Sequence, residues 1–534
     1  MAQKTSKYQR GAWTSQSGFI LAALGSAVGL GNIWRFPGVA YQNGGGAFLL
    51  PYLIALLTAG VVILLLDYAI GHRFRGSAPL ALRRAAGRPG ETLGWFQVMI
   101  NVIIAIYYTA VIAWTSMFFI FSFKQNWESG ASTQEFFLFD YLQLDTENQL
   151  TFDLVPAVVI PMVVFWVLVL AVLALGVAKG VQKANSITIP LLFVSFLALV
   201  IGALLQPGAV DGLNAFFTPD FSQLGKPQIW VAAYGQIFFS LSVAFGIMIT
   251  YSSYQKRRAN MASSGLVVAF GNSSFELLAG VGVFAALGYL AHTQGVAVGD
   301  LEGLTGPMLA FATFPAIVSA LPLSWLFGTL FFGSLLLAGF TSLLSILEVV
   351  LAGFIDKFGL SRGAATWGVG LPMAVISVLL IGTTTGLITL DTLDFFSNQM
   401  GIVASAIVTV VLVIWVNRRG GELAGHLSAI STFKVGKIWQ VFVGILAPLV
   451  IGYMLVQVII STVSDGYEGY EGWYLGVFGW GTLALMLIAS IVLTLLPWNT
   501  PVRGFKAWPP IPGAKPADEI ANAAAFDPSA GKES

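Results

Sequence analysis

Residues 25–37 read GSAVGLGNIWRFP, a run of small and polar residues within a stretch, 14–41, that is otherwise apolar. An apolar run of about 20 residues predicts a helix that crosses a membrane. Glycine, asparagine and arginine do not suit the middle of such a helix, and non-helical backbone at membrane depth survives only beside protein or a water-filled cavity. A second interruption, FSLSVAFG at 239–246, lies inside the apolar stretch 228–254. We therefore predict two broken helices that frame one buried site.

Apolar stretches of similar length recur along the whole chain. Hydrophobic residues make up 57% of the 534 residues and charged residues only 10%, whereas an average soluble domain is about 25% charged. The mean hydropathy is +0.82. We predict an all-α membrane protein of twelve transmembrane helices, called spans 1 to 12, at 14–41, 46–71, 94–123, 154–177, 184–205, 228–254, 262–291, 323–355, 364–382, 387–416, 438–462 and 473–496.

The positions of the two interruptions predict an internal repeat. The Gly25 and Gly29 pair alone would more often indicate close helix packing. Spans 1 and 6, however, are corresponding members of two five-helix halves, and paired interruptions are typical of inverted-repeat transporters. We predict a cytoplasmic N-terminal segment at 1–13, a first repeat at 14–205, a second repeat at 228–416, spans 11 and 12 at 437–496, and a flexible cytoplasmic tail at 497–534.

The distribution of positive charge predicts the orientation. An even number of spans places both termini on one side, and loops rich in Lys and Arg stay in the cytoplasm. Apart from Lys124, Lys226 and Arg35, every Lys and Arg falls on the side of the termini. We expect a multi-pass protein of the bacterial inner membrane with both termini cytoplasmic. The absence of cysteine excludes disulfides and thiolate chemistry.

Five motifs are specific enough to suggest a family. They are residues 29–37, 43–48, the pair Tyr107-Tyr108, residues 235–242 and residues 338–342. Together they resemble the neurotransmitter:sodium symporters, also called sodium- and chloride-dependent transporters, of the bacterial leucine-transporter type. The resemblance implies a leucine-transporter-like fold and a secondary active symporter that works by alternating access. It also implies that sodium and a neutral amino acid are carried inward together.

The resemblance implies two sodium sites built from oxygen atoms, which a hard cation prefers. The first would use Ala27, Asn32, Ser240 and Asn272 together with the substrate carboxylate. The second would use the carbonyls of Gly25, Val28 and Ala338 and the hydroxyls of Thr341 and Ser342. Taken alone, hydroxyls such as those of Thr341 and Ser342 would more often bond to their own helix.

The resemblance also implies a substrate site between spans 1, 3, 6 and 8. The amides of Leu30 and Gly31 and the Tyr108 hydroxyl would hold the carboxylate, and Phe239, Ser242 and span 1 carbonyls the amino group. Taken singly, Tyr108, Phe239 and Phe245 could be ordinary core aromatics. The expected substrate residues are Ser26, Ala27, Gly29, Leu30, Gly31, Ile104, Tyr108, Phe239, Ser240, Ser242, Val243, Ala244, Phe245, Ser342 and Ile346.

Charged residues within the spans suggest gates, since an intramembrane ionisable residue is costly and usually functional. By resemblance, Arg35 and Asp394 would form the outer gate. The inner gate would consist of Arg10, Trp13, Tyr254 and Asp356. Solvated interfacial charges are the plainer interpretation of the inner set.

Three further carboxylates lie within the spans. Glu276 follows Asn272 by one helical turn, where chloride-independent relatives carry a carboxylate and chloride-dependent ones a serine. We therefore expect no chloride requirement. We expect Asp67 and Glu348 to bond exposed backbone near the breaks.

Gly29 bears on the class of substrate. By resemblance, carriers of amines have an aspartate there, which replaces a carboxylate that the substrate lacks. A glycine implies a substrate with its own carboxylate. Ala244, where several relatives have glycine, should disfavour the largest side chains by about 1–3 kcal/mol per methylene. We expect a small to medium neutral amino acid.

Other functions have less support in the sequence. A sodium-coupled carrier of a non-amino-acid amine or osmolyte on the same fold stays open, with Gly29 and Tyr108 against it. A channel would not need two broken helices around a gated site. No H-E-x-x-H, G-x-S-x-G or Walker pattern predicts an enzyme, and a net charge of +1 gives no support for nucleic-acid binding. The expected partners are the amino acid, sodium and lipid, and spans 11 and 12 could support a homodimer.

Overall fold

The computed structural model describes residues 12–130, 132–301, 306–499 and 505–515. Within these residues the chain is helical, with isolated β-bridges but no strand. The spans are, in order, Gln16–Ala27 with Leu30–Gln42, Gly46–Phe74, Ala78–Phe121, Pro156–Ala174, Val177–Leu204, Pro227–Ser240 with Ile247–Ser253, Met261–Gln294, Ser324–Phe358, Arg362–Ile381, Gly386–Val416, Lys437–Asp465 and Gly472–Leu495.

The number of membrane-crossing helices agrees with the sequence. Within the described residues, ten helices are long and apolar enough to cross a membrane, and the two halves of span 1 form an eleventh across a 52° bend. Span 6 is the twelfth, with a non-helical break from Leu241 to Gly246 between its two helices. The predicted all-helical membrane fold with breaks in spans 1 and 6 is therefore confirmed.

Short helices join the spans. The helix of span 3 also begins earlier than predicted, and its backbone leaves helical geometry at Ala86 and Gly87, where Gly87 has a φ of +69°. The segment before that kink is a separate connecting helix. The other connecting helices are Asn126–Ser129, Thr133–Glu135, Phe136–Tyr141, Ala209–Phe217, Phe221–Gly225, Val298–Asp300, Gly306–Ala320 and Gly420–Ile430.

Burial divides the spans into a core and a periphery. Span 8 packs along spans 3 and 5 and against the first half of span 1, while span 7 packs against spans 2 and 5. Spans 4, 5, 9, 11 and 12 instead present exposed aliphatic side chains such as Ile160, Val194 and Leu449. Such side chains suit a surface that lipid covers. The two broken spans therefore lie among the best-packed helices.

The described part of the C-terminal tail folds back onto the bundle. The buried Trp498 donates from Nε1 to Glu91 at 2.9 Å, and Arg73 donates to the Pro509 carbonyl at 2.6 Å. The Arg84 guanidinium lies 4.0 Å from the centre of the Phe505 ring. These contacts join Trp498, Phe505 and Pro509 to distant parts of the chain, and the flexible tail at 497–534 stays a prediction.

Candidate substrate and sodium site

Span 1 loses its helical backbone at Val28 and Gly29. The first helix ends at Ala27, Val28 has φ −75° and ψ 93°, and Gly29 is extended. The Gly29 amide donates to Asn32 Oδ1 at 2.9 Å, so the Asn32 side chain caps the second helix. The break exposes carbonyls at the end of one half-helix and amides at the start of the next, which favour a cation and an anion respectively.

Span 6 is non-helical from Leu241 to Gly246. Ser242 and Ala244 have φ angles of +53° and +66°, in the left-handed region that glycine usually occupies, and Gly246 has a φ of +90°. The Ser242 hydroxyl donates to the Ser26 carbonyl at 2.9 Å. The structure therefore places the two breaks side by side.

Three side chains predicted for the first sodium site converge from spans 1, 6 and 7. Asn32 donates from Nδ2 to Asn272 Oδ1 at 2.9 Å, and Asn272 donates to the Ser240 hydroxyl. Each of the three is at most 2% exposed. Ala27, the fourth predicted ligand, is the last residue of the adjoining half-helix. Amide and hydroxyl oxygens in this arrangement suit a hard cation.

The residues predicted for the second sodium site also lie together. Ser342 donates to the Gly25 carbonyl at 3.3 Å across the interface of spans 8 and 1. Thr341 donates to the Ala338 carbonyl at 3.0 Å within its own helix, and Val28 is the residue at which the first half-helix ends. Both hydroxyls are buried. Oxygen atoms from spans 1 and 8 therefore line this side of the break.

Two hydroxyls face Gly29. A Cβ atom placed on Gly29 would lie 3.0 Å from the Ser342 hydroxyl and 3.4 Å from the Tyr108 hydroxyl. Leu30 and Gly31 are the first residues of the second half-helix, whose amides have no acceptor within that helix. Amides and a phenol at a helix N-terminus are suited to a carboxylate.

Phe239 covers the same end of the second half-helix. A Cβ on Gly31 would lie only 2.1 Å from Phe239 Cε1, so the ring rests directly on the backbone. Arg35 Cζ lies 4.5 Å from the centre of that ring, within the range of a cation–π contact. Phe239 therefore separates the break from Arg35.

The expected side-chain pocket is apolar. Ser342 is its polar member, and it lies beside Gly29. The remaining members are each at most 6% exposed, and they are Ile104, Val243, Ala244, Phe245 and Ile346. Such a lining is suited to a neutral side chain.

The outer-gate residues do not form a direct ion pair. Asp394 accepts hydrogen bonds from Tyr107 Oη and Asn398 Nδ2, both at 2.7 Å. Within the described part of the chain no carboxylate lies within 4.0 Å of the Arg35 guanidinium nitrogens, which are directed at Phe239 instead. Their predicted role as an outer gate stays a prediction.

Trp13, one of the predicted inner-gate residues, packs against the second helix of span 6, Ile247–Ser253. Its indole nitrogen donates to the Tyr251 carbonyl at 2.8 Å, and its amide donates to the Tyr254 carbonyl at 3.2 Å. Trp13 is 2% exposed and its ring packs edge-on against Tyr251. The second helix of span 6, which is its lower half, is therefore held against the N-terminal segment.

The structure describes one of the two predicted charged residues of the inner gate. Asp356 is buried and accepts from the Ser77 amide at 2.7 Å, while Arg10 lies outside the described residues. Glu348 does not bond exposed backbone as expected. It instead forms an ion pair with Arg362 and accepts from Tyr254 Oη at 2.9 Å. These two side chains occupy the carboxylate in place of backbone groups.

Glu276 is buried between spans 2, 6 and 7. It accepts a hydrogen bond from Tyr52 Oη and one from Gln236 Nε2 at 2.6 Å. No Lys, Arg or His side chain within the described ranges forms an ion pair with it. Neutral donors therefore surround this buried carboxyl group, which lies one helical turn from Asn272.

Sequence reasoning missed several contributors to this site. Tyr52 and Tyr251 were not singled out, and nothing local in the sequence points to them. Asn398 could have been found, because it lies four residues after Asp394 and so on the same helix face. The missed residues are all partners of predicted ones, which explains why spacing alone did not reveal them.

Comparisons with known proteins agree with this geometry. The model of the sodium:neurotransmitter symporter family matches residues 10–133 and 127–500. An uncharacterized sodium-dependent transporter of Methanocaldococcus jannaschii is 37% identical, over 91% of this chain and 97% of that protein. The sodium-dependent dopamine transporter of Bos taurus is 31% identical over 77% of this chain, which spans 64% of the bovine protein.

A solved structure supports the same assignment. The crystal structure of MhsT in complex with L-phenylalanine matches with a TM-score of 0.72 and 29% identity, over 84% of this chain and all of that one. The family match covers all twelve spans, including both broken helices. The chain is therefore an integral membrane protein that belongs to the sodium:neurotransmitter symporter family.

Proposed function

We propose that this transporter carries a small to medium neutral amino acid inward together with sodium and without chloride. The observation that carries this proposal is the surroundings of Gly29, where the hydroxyls of Tyr108 and Ser342 and the amides of Leu30 and Gly31 meet. These donors offer a place for a carboxylate. Because position 29 has no acidic side chain, the substrate would supply the carboxylate itself.

Sodium coupling follows from shared ligands. The substrate carboxylate would complete the first sodium site at Asn32, Ser240 and Asn272, so each ligand would raise the affinity for the other. A second ion would bind at Gly25, Val28, Ala338, Thr341 and Ser342 and join spans 1 and 8. A sodium gradient could then drive uptake of the amino acid.

Alternating access describes the transport cycle. Trp13 packs beneath the lower half of span 6, as expected when the cytoplasmic side is closed. Sodium would enter first and order the broken helices, the amino acid would follow, and Phe239 with Arg35 and Asp394 would close above it. Release of Trp13 would then open the cytoplasmic side. We infer from the distribution of positive charge that this side, with both termini, faces the cytoplasm.

The MhsT complex supports the substrate class, since its ligand is L-phenylalanine. Similarity to the bovine dopamine transporter favours an amine substrate as the alternative, although Gly29 counts against it. Uptake into proteoliposomes under an inward sodium gradient distinguishes the two. Saturable uptake of a neutral amino acid is expected, and uptake of amines alone would contradict the proposal.

Replacement of Glu276 tests the chloride-independent part of the proposal. Glu276→Ser removes a buried charge one helical turn from Asn272. At an effective dielectric constant near 20, a unit charge about 8 Å away stabilises a cation by about 2 kcal/mol. We expect uptake in chloride-free buffer to fall roughly thirtyfold and to recover when chloride is added.

The matched control is Glu135→Ser, which removes a carboxylate from an exposed connection. It should leave uptake unchanged with or without chloride. If Glu276→Ser were as active as the unmodified protein in chloride-free buffer, Glu276 would not supply the charge that the first sodium site needs.

A further inference from the structure

The non-helical segment of span 6 is fixed by side chains from three other spans. The Ala244 amide donates to Asp67 Oδ2 of span 2 at 2.8 Å. The Ala244 carbonyl accepts from the Ser405 hydroxyl of span 10 at 2.6 Å, and the Phe245 carbonyl accepts from Asn101 Nδ2 of span 3 at 2.5 Å. Side chains from other spans therefore hold the amide and the carbonyl of Ala244 and the carbonyl of Phe245.

The backbone that these bonds hold is strained. Ser242 and Ala244 are not glycines, yet both have positive φ angles. Residues in sparsely populated backbone regions are strained and persist only where the surroundings enforce them. The hydrogen bonds to Ala244 and Phe245 supply such enforcement.

A second layer of hydrogen bonds orients the donors. Gln97 of span 3 donates from Nε2 to the Ser405 hydroxyl at 3.1 Å and to Thr409 Oγ1 at 3.3 Å. Asn101 donates to the Gln97 carbonyl at 2.7 Å. Because both neighbours of the Asn101 amide are carbonyl oxygens, its nitrogen must face them. Each of these four side chains is at most 1% exposed.

We propose that Ser405 and Asn101 are positioning residues, which fix the Ala244–Phe245 backbone and thereby set the size of side chain that the pocket accepts. This rests on the proposed function, since Ala244 and Phe245 line the substrate pocket there. Ser405 shares span 10 with Asp394. Span 10 therefore carries both the predicted outer-gate carboxylate and a side chain that fixes the pocket wall. Closure of the outer gate would then depend on how well the substrate side chain fits the pocket.

Hydrogen exchange of the purified protein tests the positioning without a substrate. Ser405→Ala deletes the donor to the Ala244 carbonyl and should speed amide exchange of a peptide covering residues 241–247 by about tenfold. Ser405→Thr keeps a hydroxyl and should preserve protection. The matched control is Ser490→Ala, which deletes a buried hydroxyl bonded only to its own helix at Met486. Unchanged exchange in Ser405→Ala would overturn the proposal.

Competition binding then tests selectivity. The two ligands compared are the amino acid that binds best and the amino acid that is one methylene larger. We expect the preference for the first over the second, expressed as the ratio of their affinities, to fall about fivefold in Ser405→Ala. Asn101→Leu, close in size but without a donor, should act alike if the first variant fails to fold. A role in folding alone would lower the amount of protein and leave this ratio unchanged. If the unmodified protein bound no amino acid, the proposed function would be wrong. The hydrogen-exchange experiment would still test whether Ser405 positions the Ala244–Phe245 backbone, because it needs no substrate.

Discussion

Gly31→Ala is expected to weaken amino acid binding severely. The added Cβ would lie 2.1 Å from Phe239 Cε1 and 3.0 Å from its Cδ1, whereas carbon atoms in contact are about 3.5–4.0 Å apart. The ring lies beneath Arg35, so it would move out of the position that closes the site. Overpacking of this kind costs about 1–3 kcal/mol, and because the clash falls at the substrate itself we expect affinity to drop roughly a hundredfold.

Binding of labelled amino acid to purified protein measures this effect. The control is Gly452→Ala, since a Cβ on Gly452 meets no atom within 4 Å and affinity should not change. The elution profile of each variant from a size-exclusion column confirms that it is folded. Normal affinity in a folded Gly31→Ala protein would show that Phe239 does not rest against this backbone when substrate is bound.

Asn272→Leu is expected to remove most of the sodium dependence of binding. Leucine is close in size but offers no oxygen to a cation and leaves Asn32 and Ser240 without their shared partner. Groups bonded to a charge contribute about 1.5–3 kcal/mol each, and buried polar groups that lose a partner add to that cost. We expect the sodium concentration for half-maximal binding to rise about a hundredfold.

The neighbouring Ser273→Ala is the matched control, because Ser273 is also buried on span 7 but was not predicted to bind sodium. Titration of sodium against amino acid binding, at constant ionic strength with potassium, gives the two midpoints. An unchanged midpoint in Asn272→Leu would remove span 7 from the first sodium site.

The breaks could be predicted from sequence because their causes are local. Gly29 and Asn32 occur within a stretch that is otherwise apolar, and the serines of 239–246 repeat the pattern in span 6. Glycine and capping side chains allow the chain to leave the helix, and only a bilayer makes such residues conspicuous. The lengths of the apolar runs also predicted most ends of the spans, although not the start of the span 3 helix.

The polar partners of the site could not be predicted, because they depend on contacts between distant residues. Tyr52 reaches Glu276 across 224 positions, and Ser405 reaches Ala244 across 161. Neither is set apart by its neighbours in sequence. Arg35 and Asp394 show the opposite error. The resemblance pairs these two charges, but in the structure Arg35 contacts Phe239 and Asp394 accepts from Tyr107 instead.

A thermal-shift screen of the detergent-purified protein against the twenty amino acids, in sodium and in potassium at equal ionic strength, tests the central claim most directly. A ligand that binds the folded state stabilises it by about 2.7 kcal/mol at a hundred times its Kd. We expect one or a few neutral amino acids to raise the melting temperature in sodium and none to do so in potassium. Equal stabilisation in both salts, or stabilisation by amines or osmolytes and by no amino acid, would contradict sodium-coupled binding of a neutral amino acid at this site.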